Sequence, residues 1–121
     1  MCSMLACNQH IKHPPKMAHF TIPFESNDHH TLTYHEAIAC YEKMAAAYPE
    51  SFKLTKVGST DSGEPLHVAV LNTSGEFDPA KIRQSGKRIL LINNGIHPGE
   101  PEGIDATILL LRDYLEKPAM Q

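Results

Sequence analysis

Cysteine is scarce in this sequence of 121 residues. Cys2, Cys7 and Cys40 are too few and too scattered for a disulfide framework or a four-thiolate zinc site. Their odd number leaves at least one without a partner inside the chain, and Cys40 falls within a helical pattern, where it acts as a small hydrophobe. Positive charge is not in excess either. A net charge of −3 leaves no polybasic footprint, so nucleic acid is not an expected partner. No apolar run approaches the roughly 20 residues of a membrane-spanning helix, and no internal repeat occurs. What remains, 41% hydrophobic and 21% charged, is the composition of one small globular domain.

The first thirty residues lack sustained periodicity and contain His10, His13, His19, His29 and His30 among three prolines. They form an irregular leader, residues 1–30, ahead of a folded unit over 31–121. Leu5-Ala6-Cys7 resembles the end of a bacterial lipoprotein signal, which makes Cys7 a candidate lipid anchor. The charged and long apolar parts of such a signal are missing: either the true start lies further upstream or the match is accidental. The anchor reading favours a cell-envelope, periplasmic or secreted location, if the source is bacterial.

Order starts at Thr33. Thr33-Tyr34-His35-Glu36 matches a capping box, with His35 and Glu36 as surface residues of the first turn. Ile38, Tyr41, Ala45 and Tyr48 follow at helical spacing, and Pro49 stops the helix. Phe52 to Val57 predicts a strand, the Gly58 to Pro65 stretch a turn, and Leu66, Val68 and Val70 the buried face of a second strand, with His67 directed outward. A short helical turn is expected near Pro79 to Arg83. Arg88-Ile89-Leu90-Leu91-Ile92-Asn93 is a continuous apolar run, the pattern of a strand buried on both faces. Pro101 starts a last helix, in which Glu102 and Asp105 complement the positive end, Ile104, Ile108, Leu111 and Leu115 form the core stripe, and Pro118 ends the element. The expected fold class is α/β, a partial mixed β-sheet flanked by helices.

Chemistry concentrates in His97-Pro98-Gly99-Glu100. This segment follows a strand's carboxyl end and precedes a helix, where open α/β sheets place their ligand sites. Histidine nitrogen and glutamate oxygen are both zinc donors, and three-residue spacing across a bent Pro-Gly backbone lets both face one ion. The competing reading makes His97 a strand-end residue and Glu100 a helix cap. Glu102 fits dipole stabilisation better than a role as general base.

The sequence resembles the amino-terminal part of zinc carboxypeptidases of the carboxypeptidase A type. Thr33-Tyr34-x-Glu36, Tyr48-Pro49, Leu54, Val57-Gly58-x-Thr60, Gly63-Glu64-Pro65-Leu66, Gly95-Ile96-His97 and Glu100 carry the likeness, over Leu32 to Leu115. It implies a fragment of an α/β/α domain, Zn2+ as cofactor, a peptide or protein substrate, and His97 and Glu100 as the first two zinc ligands. The family's third ligand, a histidine, its catalytic glutamate and its carboxylate-binding arginines would follow beyond residue 121. Many relatives carry arginine where this chain has Gly99, which puts subsite contacts in doubt. Isolated, the chain is expected to be marginally stable, to expose an unfinished sheet edge and to lack peptidase activity. Zinc deacylases of the aspartoacylase and succinylglutamate desuccinylase type share the His-x-x-Glu pair, and a non-catalytic binding module on the same fold is a further alternative.

Overall fold

The computed structural model describes residues 22–25 and 30–117. Cys2, Cys7, the leader histidines up to His29, and Pro118 lie outside the described residues. A 3₁₀ turn, Pro23–Glu25, comes first, followed by helix α1 (Tyr34–Ala47), strands β1 (Phe52–Ser59) and β2 (Pro65–Leu71), helix α2 (Pro79–Gln84) and helix α3 (Glu102–Glu116). None of the described helices is long and apolar enough to cross a membrane.

The capping box predicted for α1 is present in full. The Thr33 backbone N–H donates to Glu36 Oε2 at 2.8 Å, while the Glu36 N–H reaches the Thr33 hydroxyl. The Thr33 N–H, then its hydroxyl and His30 Nε2, hold the Glu36 carboxyl down to about 2, against an ordinary value of 4.5. A depressed carboxyl contributes stability that is fully present above its unfolded value and lost as pH falls through its folded value. Helicity of α1 is therefore expected to decline between about pH 4.5 and about pH 2. An acid titration followed by far-UV circular dichroism checks this, since Glu36→Gln should lose that phase.

Helix α1 packs on α3 and β1 around one core of Ile22, Leu32, Ala37, Cys40, Met44, Tyr48, Phe52, Ile108 and Leu115. The buried stripe of α1 is turned by one residue from the one periodicity selects. Ala37, Cys40 and Met44 are buried, whereas Ile38, Tyr41 and Ala45 sit at its half-buried margin. Small side chains at 37 and 40 let α3 come close, and the larger residues fill the flanks. In α3 the expected stripe is present, with Ile108 and Leu115 buried and Ile104 and Leu111 packed beside them.

Strands β1 and β2 form an antiparallel hairpin in which Phe52 faces Leu71 and Leu54 faces Ala69, with a bulge between Lys56 and Gly58. This register corrects the expected face of β2. Phe52 is 1% exposed and fixes the inner side of the hairpin, so its cross-strand partner Leu71, and Ala69 and His67 in alternation before it, share that side. Of the three residues expected to be buried, Leu66 and Val68 point away and stay exposed and Val70 is half-buried, while His67 is half-buried instead of directed outward. Both faces of β2 carry apolar residues, so alternation alone could not choose between them.

The second correction concerns residues 88–93. Among the described residues the only sheet is the two-stranded β1-β2 ladder, and the mixed sheet's expected buried strand is a segment without regular secondary structure outside it. Leu90 is 83% exposed and Leu91 85%. A run apolar on both sides needs a strand at each edge and a cover on each face, and the described residues supply neither.

Two long-range ties close the unit. Buried Arg112 on α3 makes a fork of hydrogen bonds to the Glu25 carboxylate, with Nη2 to Oε1 at 2.8 Å. Buried Asp105, in the first turn of α3, accepts from the Leu32 N–H at 3.2 Å. Asp105 therefore does more than complement a helix dipole: it pins the chain entering α1 against α3.

Candidate metal centre

The loop from Asn94 to Pro101 is held at the amino end of α3. The Asn94 side-chain amide donates to the Thr107 hydroxyl, one turn into the helix. Gly95 follows at φ +66°, and a Cβ there would lie 2.7 Å from Ile104 Cδ1. Gly99, at φ +83°, makes the second left-handed turn, between His97 and Glu100. The Pro101 carbonyl accepts from the N–H groups of Ile104 at 2.9 Å and Asp105 at 3.2 Å, so Pro101 sits at the N-cap, one position earlier than its usual helical place.

This path brings the two predicted ligands together. His97 Nδ1 lies 3.0 Å from Glu100 Oε2, with side chains 66% and 64% exposed. Both face solvent beside a shallow concavity of about 280 Å³, lined by Thr31, Gly95, His97, Glu100, Pro101 and Ile104. Zinc bonds of about 2.0–2.2 Å at a tetrahedral angle set a ligand separation of roughly 3.3–3.6 Å. The pair needs to open by about 0.3–0.6 Å to hold an ion, and its hydrogen bond holds the two side chains together. The donor set therefore fits zinc. Among the described residues no group of three or more metal-donor side chains occurs. His30, His35 and His67 are not part of this pair: His30 contacts Glu36 at 3.3 Å, His35 approaches Glu64 at 4.0 Å, and His67 lies on the inner side of the hairpin. Glu102 is exposed in the first turn of α3.

Thr31 is the lining residue that sequence reasoning missed. It precedes the capping box and has no motif of its own; only the Asp105 tie to Leu32, 73 residues away, brings it beside His97. The opposite end of the loop depends on Gly95. Gly95→Ala is expected to lower stability by about 1–2 kcal/mol, because an L-residue is strained in the left-handed region. The Ile104 side chain must also shift. Thermal melting measures the loss, and zinc affinity should fall with it.

The histidine–glutamate pair stands between a segment without regular secondary structure and the amino end of α3, in a chain of mixed α/β structure. The family model for zinc carboxypeptidases matches residues 37–120, and the chain belongs to the zinc carboxypeptidase family. No curated protein and no solved structure matches it. Membership places the chain in a family of zinc-dependent hydrolases, and its hairpin and three α-helices are compatible with a fragment of a carboxypeptidase-like domain.

Proposed function

We propose that this chain supplies His97 and Glu100 as two protein ligands of a catalytic zinc that serves hydrolysis of peptide bonds at carboxyl termini. The observation that carries the reading is the 3.0 Å approach of His97 Nδ1 to Glu100 Oε2 on a loop fixed at both ends to α3. Bound zinc supplies a Lewis acid for the scissile carbonyl and for an attacking water. His97 would offer an imidazole nitrogen to the ion, and Glu100 would offer a carboxylate oxygen that offsets part of its charge. Thr31 and Ile104 form the wall against which a peptide would lie.

Catalytic zinc sites use three protein ligands and an open position, so two donors alone hold the ion weakly. The purified 121-residue chain is expected to bind zinc through this pair and to show no peptidase activity. Calorimetric titration of zinc into the chain and into Glu100→Gln tests the assignment. Weaker binding in the variant supports it; an identical isotherm counts against it.

A further inference from the structure

The two metal-donor residues are joined to α3 in different ways. Glu100 is bonded to Pro101, the N-cap, so it moves with the helix. His97 reaches α3 less directly. Three residues before it, the Asn94 side-chain amide donates to the Thr107 hydroxyl. Where that bond holds Asn94 decides where His97 stands relative to Glu100.

Two missing side chains make room for this contact. A Cβ at Gly103, in the first turn of α3, would lie 2.7 Å from Asn94 Oδ1 and 3.0 Å from its Cγ. The Asn94 side chain therefore rests on the helix backbone where glycine leaves it uncovered, and Thr107, one turn further on, receives the amide. In the other direction, a Cβ at Gly95 would lie 2.7 Å from Ile104 Cδ1, so Ile104 occupies the space that Gly95 leaves. Loop and helix interlock, and every one of these contacts lies within residues 94–107. Asn94 and Thr107 are both half-buried. An amide left there without its acceptor loses more than the bond itself, because water does not fully replace it. The side chain would swing outward and carry Gly95 and His97 with it.

We propose that Asn94 is a positioning residue for the metal pair: seated on Gly103 and held by Thr107, it sets the separation of His97 and Glu100. The proposal rests on the reading of these two residues as zinc ligands. The role differs from plain packing, since Glu100 keeps its place on the helix when Asn94 is released and the geometry of the pair changes.

The metal-free chain gives the first readout. A carboxylate oxygen accepts, so the 3.0 Å contact of His97 Nδ1 with Glu100 Oε2 keeps the ring proton on Nδ1. Imidazole nitrogen shifts at one alkaline pH report that tautomer, and His97→Ala assigns the signals. Thr107→Val removes the hydroxyl at nearly equal size and should lose the signature, whereas Thr107→Ser should retain it. Alanine is favoured over glycine in a helix, yet a Cβ at position 103 displaces Asn94. Gly103→Ala should therefore lose the signature while helicity by circular dichroism is undiminished. Zinc titration is the second readout. Thr107→Val should bind zinc through the loop about two- to tenfold more weakly, the worth of one hydrogen bond, and Thr107→Ser should match wild type. Ring signals unchanged in both Thr107→Val and Gly103→Ala overturn the proposal, as does an equal loss in Thr107→Ser and Thr107→Val. Zinc binding indifferent to His97→Ala removes the ligand assignment instead, and the ring signals of the metal-free chain then decide the role of Asn94.

Discussion

His97→Ala is expected to abolish zinc binding at the loop that precedes α3. With two donors in the pair, the loss of one leaves a single carboxylate on an exposed loop, and an exposed carboxylate does not compete with water for a strongly hydrated dication. The geometry makes the effect large. Nδ1 and Oε2 already stand 3.0 Å apart, so little of the binding energy goes into bringing the ligands together. Glu100→Gln should weaken binding less than His97→Ala, because an amide oxygen can still coordinate without charge. Five histidines in residues 1–30 complicate any raw titration. The difference between wild type and His97→Ala isolates the loop, and the shift of the His97 ring resonances on adding zinc reports on it directly. Equal zinc stoichiometry and affinity in the two proteins would remove the assignment.

Phe52→Ala should unfold the chain, or come close to it. Phe52 opens β1 and is 1% exposed; its ring stacks on Tyr41 with centroids 6.3 Å apart, and its N–H donates to the Tyr48 carbonyl at 2.8 Å. It is the residue at which hairpin and helix meet. Phe→Ala in a core costs about 3–5 kcal/mol, from lost transfer energy and from the cavity left behind. A domain of this size holds roughly 5–15 kcal/mol in total, and one with uncovered apolar strands falls at the low end. Urea denaturation should show the midpoint collapse for Phe52→Ala, whereas Leu110→Ala, at a position 41% exposed, should stay within about 0.5 kcal/mol of wild type. A small effect at Phe52 would mean that the hairpin does not share a core with α1.

What could be seen in the sequence was local. The capping box of Thr33 and Glu36, the turn-rich link between β1 and β2, the short helical turn near Pro79 to Arg83 and the stripe of α3 all depend on neighbours within a few positions, and all are present. The His97/Glu100 pair was visible for the same reason, since one tight turn positions both residues. Which side of an element faces the core was less visible. Residues 66–71 are apolar on both sides, and only Phe52 across the ladder decides between them. The apolar run at 88–93 announced a demand for cover, but a run cannot say whether the partner strands are at hand. Ile22, Glu25, Thr31 and Arg112 carried no signal at all. Their roles arise from contacts across most of the chain, where the sequence holds no spacing to read.

The ties from Glu25 to Arg112 and from Leu32 to Asp105 span 87 and 73 residues. A chain made from its amino end must therefore hold the Pro23–Glu25 turn and the entry to α1 open until α3 emerges. Loop closure over that length is slow compared with helix or hairpin formation. Capped α1 and the hairpin can form early, while the wall of the His97–Glu100 loop that contains Thr31 can be completed only when α3 docks. Folding rate should thus be governed by one late event, the arrival of Arg112 and Asp105, and the loop that carries His97 and Glu100 becomes native in that same step.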